Sequence, residues 1–365
     1  MKRFCTMYVF AGDEHIAKDV GQIPYELAKK YGYESTLAGA FFSDQSKNND
    51  YLRIDKIKRI KRSFGLTGAL YILKKAKQID ILNLYHTNRR VWIHAKLYKF
   101  LNPRGKLYIK LDCGLETCDM IDADNKYRDY FIKCLNIADF ISVESQAAKK
   151  RLNDYDTKDR IRIIPNGFSS MGYENSGNVS RKKIILSVGN LSHSPKGTDD
   201  LIKAFHHSEC YKNGWSLVLA GRMDDVFKLF YHSYLQDYPE LKEHIIYKGF
   251  ITDRAEINNL YRSVGIFALP SYNESFSLAA CEALANGCYL ILSDRVSPSK
   301  ELTNTGRYGE VVPSGNIVAL AEAIKKATIS YNDGLVDEIE DYANKNFSWE
   351  SIIPKIQTEL KKMYG

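Results

Sequence analysis

Two carboxylates sit eight residues apart in "PSYNESFSLAACEALANGCYLILSD", residues 270–294, where Glu274 and Glu282 interrupt a run of small, buried-type side chains. An ionised carboxylate is an acceptor only, and its two oxygens can hold a pair of vicinal hydroxyls. "GIFALPS" reads as a buried strand ending at Pro270 and Ser271, "YNESF" as a turn, and Ser277–Asn286 as a helix closed by Gly287. That places Glu274 on the loop at the strand's end and Glu282 on the helix face shared with Leu278 and Ala285. Ser275 lies in the turn. The backbone N–H groups of Phe276, Ser277 and Leu278 at the helix start form an anion site through unsatisfied donors and the positive end of the helix dipole, suited to a diphosphate.

Such a strand–loop–helix unit needs a sheet to hold it. In both halves of the chain short β-branched and aromatic runs alternate with helical patterns, the signature of β-α units around a parallel sheet. The first half supplies "RFCTMYVF", "STLAGAFF", "DILNLY", "KLYIKLD", "FISVES" and "IRIIPN". The second supplies "KIILSVG", "SLVLAG", "IIYKGF", "GIFALPS", "CYLILSD" and "GEVV". The expected domains are residues 1–170 and 184–345, joined by a Gly/Ser/Asn-rich linker at 171–183, with a C-terminal helix in 346–365 packing back on the first. Two tandem doubly wound α/β domains then face each other across a cleft at the carboxyl ends of their strands, where open α/β sheets bind ligands.

Length and composition agree with two globular domains. The chain has 365 residues, 44% hydrophobic and 26% charged, without a low-complexity tract. Seven scattered cysteines without a C-x-x-C pair read as core thiols, not as a disulfide framework or a zinc site. No acidic cluster suggests a metal. The opening "MKRFCTMYVFAGDEH" is too short in its apolar run for a signal peptide, and no window offers about eighteen uncharged apolar residues, so the expected location is the cytoplasm. Neither G-x-G-x-x-G nor G-x-x-x-x-G-K-[ST] occurs, which removes the usual dinucleotide and NTPase motifs. Net charge is +8, and the basic excess lies in the first half. No nucleic-acid recognition motif accompanies it.

"PSYNESFSLAACEALANG" resembles the E-x7-E signature of the retaining family 4 glycosyltransferases of the GT-B fold. "IPNGF" and "ILSVGNLSHSPKGTDDLIKAF" upstream, "YKGFITDRAEINNLYRSVGIFALPS" before the signature and "SDRVSPSKELTNTGRYGEVVPSGNIVALAEAI" after it resemble that family's segments in the same order, over most of 163–327. The resemblance implies two Rossmann-like domains. It also implies that Glu274 contacts hydroxyls of a donor sugar, that Glu282 binds the ribose of the nucleotide, and that Lys196 of "SPKG" pairs with the donor diphosphate. The cosubstrate is then a UDP- or GDP-sugar, with no cofactor and no metal. Where the family usually has an arginine this chain has Asn190, and Arg222 at the end of "LVLAGR" is the substitute cation.

The first half follows the pattern more loosely. In "AGDEHIAKDVGQIPYELAKKYGYES" the family's two glycines are replaced by Lys18 and Asp19, near His15, so a side chain can meet the donor there. Asp19 reads equally well as a plain N-cap for a helix starting near Val20. In "KLYIKLDCG" the family's histidine position is held by Lys110, Leu111 and Asp112, with Lys110 and Asp112 on one strand face. Asp112 reads either as a hydrogen-bond partner of a substrate hydroxyl or as the start of a turn. His86 in "LYHTNRR" is a second cleft candidate.

"YLRIDKIKRIKRSFGL", residues 51–66, places Ile54, Ile57, Ile60 and Phe64 at helical spacing among Arg53, Lys56, Lys58, Arg59, Lys61 and Arg62. A basic amphipathic helix of this kind lies on anionic membranes, and the family often uses lipid-linked acceptors. The expected protein is a glycosyltransferase acting on a glycan or lipid-linked acceptor in surface polysaccharide or glycolipid assembly, at the inner face of the cell membrane. A soluble transferase with a small-molecule or protein acceptor, and a non-catalytic nucleotide-sugar-binding protein, remain as alternatives.

Overall fold

The computed structural model describes residues 1–60, 63–168 and 181–364. The chain forms two units, divided after Gly167 and again after Ser348.

In the first unit the strands are β1 (Arg3–Met7), β2 (Glu34–Gly39), β3 (Arg53–Lys56), β4 (Ile81–Tyr85), β5 (Lys106–Lys110), β6 (Phe140–Val143) and β7 (Ile161–Ile163). They pair in parallel in the order β3-β2-β1-β4-β5-β6-β7. The helices are α1 (Asp19–Tyr31), α2 (Phe64–Lys75), α3 (Arg89–Leu101), α4 (Leu115–Ala123), α5 (Asn125–Ile137) and α6 (Gln146–Leu152). Parallel strands covered on both faces need near-continuous apolar runs, and all five residues of β4 are buried. Ile72, Val91, Ala95, Tyr98 and Phe131 from α2, α3 and α5 share one core cluster. A second cluster joins Phe4, Ile81 and Tyr108 of the sheet to Ile23 and Leu27 of α1 and to Trp349, Ile352, Ile353, Ile356 and Leu360 of the C-terminal helix, Trp349–Lys362.

The basic stretch 51–66 is not one helix. Arg53–Lys56 pair in parallel with Thr36–Gly39 as the edge strand β3, Ile57 is buried, and α2 starts only at Phe64, where the Ser63 hydroxyl accepts the Leu66 N–H. An edge strand has a neighbour on one flank only and its other flank reaches solvent, so charged residues are tolerated in it. Lys61 and Arg62 lie outside the described residues.

The second unit contains β8 (Lys182–Val188), β9 (Ser216–Ala220), β10 (Ile245–Gly249), β11 (Val264–Leu269), β12 (Tyr289–Ser293) and β13 (Gly309–Val312), parallel in the order β10-β9-β8-β11-β12-β13. Its helices are α7 (Thr198–Ser208), α8 (Asp225–Asp237), α9 (Arg254–Arg262), α10 (Leu278–Ala285), α11 (Ser299–Leu302), α12 (Ile317–Ser330) and α13 (Val336–Phe347); Trp349–Lys362 is α14. Since β8 begins at Lys182, the last two residues of the expected linker belong to the strand, and 171–180 lie outside the described residues. The order in which strands are added reverses between β1 and β4 in one sheet and between β8 and β11 in the other. These are the topological switch points, where loops diverge and leave a crevice.

Candidate active site

The loops leaving β8 and β11 flank the switch point of the second sheet, and they carry Lys196 and Glu274. The Lys196 ammonium donates to Glu274 Oε2 at 2.7 Å, and both side chains are about one-fifth exposed. Their backbones are fixed independently. On the lysine side, Gly197 has φ +65° and lies so close to Pro270 that a Cβ would stand 2.6 Å from the Pro270 carbonyl oxygen. Only glycine permits this approach. Tyr272 N donates to Pro195 O at 2.8 Å, which ties the two loops together. On the glutamate side, Glu274 N donates to Arg295 O at 3.2 Å, and Ser297 N donates to Glu274 O at 3.0 Å.

Around this pair sit side chains that the sequence did not single out. His193 Nδ1 lies 2.8 Å from Asp199, Lys203 reaches the same carboxylate at 3.0 Å, and the Tyr272 hydroxyl donates to Asp200 at 2.5 Å. Burial works against the Asp199 charge, yet His193 and Lys203 hold its carboxyl below the usual range. Tyr272 is pushed the other way by burial and by the Asp200 charge. The signal for these contacts was the "SPKGTDD" run itself, in which α7 opens with two acids next to the loop lysine.

Ser277 caps α10, with its hydroxyl accepting the Ala280 N–H at 3.2 Å, and takes a left-handed backbone with φ +70°. A non-glycine residue held there is strained, and such strain collects at functional sites. Phe276 is 1% exposed and its ring packs 6.2 Å from Phe347, so of this residue only the backbone is available to a ligand. Ser275 and Leu278 flank it, half-buried. Glu282 projects from α10 and accepts from Arg254 at 2.8 Å, with its own side chain only 16% exposed. Arg254 opens α9 behind the Asp253 cap and was not anticipated. Asn190 and Arg222 are exposed on loops joined by the bond from Leu191 N to Arg222 O, 2.7 Å. The Arg222 guanidinium lies 4.4 Å from the Phe250 ring centroid and forms no ion pair among the described residues.

In the first unit, His86 and Asp112 follow β4 and β5 and are both left-handed, with φ +65° and +47°. His86 N donates to Lys110 O at 2.9 Å, and His86 Nδ1 lies 3.2 Å from Leu111 O. Lys110 is no cleft residue: it is fully buried and its ammonium donates to Glu144 at 2.5 Å. Burial alone would lower the Lys110 pKa, but the charges of Glu144, Asp19 and Asp112 raise it. Burial pushes the Glu144 carboxyl up against the opposing pull of Lys110. The other Glu144 oxygen accepts the Cys113 N–H at 2.8 Å, so the buried pair holds the turn that carries Asp112.

Asp19 is not an N-cap. Lys18, exposed, occupies that position, and Asp19 is the first helical residue of α1. Burial raises the Asp19 carboxyl, while Lys110 and the neighbouring Tyr85 hydroxyl lower it. His15 is half-buried 5.4 Å from the Tyr8 ring. Burial lowers its pKa against the opposing pull of Glu14, whose carboxylate lies 3.1 Å from Nδ1, and the Gly12 N–H points to the same nitrogen at 3.3 Å.

Residues 174–345 match the family described as glycosyl transferases group 1. That segment makes up nearly all of the second unit. A probable sucrose-phosphate synthase of Thermosipho melanesiensis is 25% identical over 261 residues, 63% of this chain and 57% of that protein. The lipopolysaccharide core biosynthesis mannosyltransferase LpcC of Rhizobium leguminosarum is 30% identical over 145 residues, 39% of this chain and 40% of that protein. The chain spans about half the length of the curated relatives it matches. Among solved structures, the sucrose-phosphate synthase of Thermosynechococcus elongatus superposes with a TM-score of 0.75 at 18% identity, covering 100% of this chain and 99% of that one. HepE of Anabaena, solved with UDP and glucose, gives 0.73 at 17% identity, covering 99% and 100%. At such identities the likeness establishes the fold, and that fold is GT-B.

Proposed function

We propose that the protein is a retaining, metal-independent glycosyltransferase that moves a sugar from a UDP- or GDP-sugar to a glycan or lipid-linked acceptor. The observation that carries this reading is the Lys196–Glu274 pair at the switch point of a group 1 glycosyltransferase segment. Lys196 would turn its ammonium to the donor diphosphate and stabilise the charge that grows on the leaving phosphate. Glu274 would take hydroxyls of the donor sugar. Glu282, one helix away, would take the ribose hydroxyls, with the first N–H groups of α10 supporting the diphosphate. Arg222 would supply the second cation that Asn190 does not.

Retention follows if the acceptor hydroxyl attacks from the face that the phosphate leaves. The bond from the anomeric carbon to the phosphate oxygen breaks, the bond to the acceptor oxygen forms, and the acceptor proton passes to the departing phosphate oxygen. The protein supplies position and charge, not a nucleophile. His86 and Asp112, on strained turns of the first unit, would meet the acceptor; Lys18, Asp19 and His15 would border it.

Relatives support a glycan or lipid-linked acceptor: two are named as lipopolysaccharide core mannosyltransferases, one as a phosphatidyl-myo-inositol mannosyltransferase and two as acting on cellobiosyl-diphosphopolyprenol. We place the reaction in surface polysaccharide or glycolipid assembly at the cytoplasmic face of a membrane. No helix of the described residues is long and apolar enough to cross one. A soluble small-molecule acceptor is the second reading, favoured by the likeness to sucrose-phosphate synthases.

Glu282→Ala is expected to weaken the free nucleoside diphosphate by about 1.5–3 kcal/mol, the worth of a charged hydrogen bond, as read by calorimetry. Unchanged affinity would remove Glu282 from the ribose. Glu274→Ala is expected to leave nucleoside diphosphate affinity nearly intact and to depress turnover. Equal losses for nucleotide and nucleotide-sugar would contradict that division. EDTA is expected to leave turnover unchanged, and restoration of a lost activity by a divalent metal would overturn the metal-free mechanism.

A further inference from the structure

The outer surface of α2 and α3 combines features that a water-facing helix pair does not ordinarily combine. The two helices pack side by side over one face of the first sheet, burying Thr67, Gly68 and Ile72 from α2 and Val91, His94, Ala95 and Tyr98 from α3. Their opposite sides look away from the sheet together. There α2 exposes Leu66, Leu70 and Leu73, at 57%, 45% and 53%, and α3 exposes Ile93 and Phe100, at 41% and 79%. The spacing is i, i+4, i+7 on one helix and i, i+7 on the other, so each set forms a stripe. Scattered single apolar residues on a surface need no explanation, but a shared patch rimmed by polar groups marks an interaction site.

Charge says what covers it. Neither helix contains a single Asp or Glu, while together they carry Lys74, Lys75, Arg89, Arg90, Lys96 and Lys99. Arg89 and Lys96 lie on the same stripe as Ile93 and Phe100. Among the described residues Lys74, Arg89, Arg90 and Lys96 form no ion pair. A protein partner is normally met by charges of both signs. Exposed leucines and a phenylalanine among unpaired cations fit instead a surface that is apolar beneath and anionic on top, which is a bilayer with acidic headgroups.

The patch also leads toward the strand ends. Phe64, the first residue of α2, lies 4.7 Å from the Phe10 ring and 6.0 Å from Phe41, which is itself exposed. Arg90 stands over Phe10 at 4.8 Å and Arg59 over Phe41 at 5.5 Å. Tyr8 continues the row, 5.8 Å from Phe10 and 5.9 Å from His86.

We propose that the α2–α3 face docks peripherally on an anionic lipid bilayer, with Leu66, Leu70, Leu73, Ile93 and Phe100 entering the headgroup region and the flanking cations meeting lipid phosphates. Its purpose rests on the lipid-linked reading of the acceptor: the row of rings from Phe41 to His86 would lead from the bilayer to the reacting end of the sheet. The contact belongs to two packed helices, not to the stretch 51–66.

The test is flotation of the full chain with vesicles of phosphatidylglycerol and phosphatidylcholine, and with phosphatidylcholine alone. The wild-type protein is expected to float with the anionic vesicles at low salt and to be released as salt rises. Leu70→Glu/Phe100→Glu is expected to reduce the partition coefficient roughly tenfold or more. Lys74→Gln/Lys96→Gln, milder toward the fold, is expected to bind more weakly at low salt and like the wild type at high salt. Wild-type protein that stays in solution with anionic vesicles at low salt, or a Leu70→Glu/Phe100→Glu variant that floats as well as wild type, overturns the proposal. Nucleoside diphosphate binding, read separately by calorimetry, is expected to be unchanged in both variants. If no nucleotide binds even the wild type while flotation behaves as stated, the donor reading fails and the membrane face stands.

Discussion

Lys196→Ala is expected to lower kcat by about 10²–10³-fold, the scale found when one preorganised donor is removed from a developing anion. The loop that carries the lysine is fixed by Gly197 against Pro270 and by Tyr272 N on Pro195 O, so on this reading only the side chain has to turn from Glu274 to the leaving phosphate. The loss is expected to fall on turnover more than on donor affinity, because in the proposed arrangement the α10 N–H groups would meet part of the diphosphate charge in the ground state. Steady-state kinetics with a saturating nucleotide-sugar checks it. A drop of less than about threefold in kcat would remove Lys196 from the reaction and leave its bond to Glu274 as a structural contact only.

Lys110→Met is expected to destabilise the first unit by about 3–5 kcal/mol, because it leaves Glu144 buried without its counter-charge. Both side chains have zero exposure and stand 34 positions apart, on β5 and just after β6. Since burial already pushes the Glu144 carboxyl up, losing Lys110 drives it neutral. The Lys110→Met/Glu144→Gln double variant then recovers most of the loss, since no unpaired charge stays inside. Urea unfolding of the three variants measures this. A single variant within about 0.5 kcal/mol of wild type would mean that the pair does not hold the Asp112 turn.

The parts of the molecule that could be read from the sequence are those whose signal is local. The strand Val264–Leu269 is buried throughout and reads as a continuous apolar run. The helix after it begins at a serine cap and ends just before Gly287, so Glu274 and Glu282 were placed on the right elements. β3 was not legible, because a half-covered edge strand with the sequence RIDK carries no apolar run. Glu144 was missed because its partner is fixed by sheet register, with Lys110 opposite Ser142, and nothing local announces that pairing. The same holds for Arg254, which meets Glu282 across 28 positions. The sequence left the cap and the donor contact as equal readings of Asp19, because a carboxylate suits either the cap or the first turn of a helix, and the structure removes the cap. In 51–66 the apolar residues have a regular spacing that imitates an amphipathic helix. The structure instead shows exposed leucines on α2, in a region whose acid-free composition was visible but whose outward face was not.

In the proposed function the second unit binds a sugar nucleotide through Lys196, Glu274 and Glu282. Titration of the wild-type protein with UDP, GDP and ADP and with their glucose and mannose conjugates tests it most directly, with Glu282→Ala titrated in parallel. One base is expected to bind in preference, without added metal, and Glu282→Ala is expected to weaken that nucleotide by about 1.5–3 kcal/mol. Failure of every one of these nucleotides to bind, or equal binding by wild type and Glu282→Ala, would contradict it.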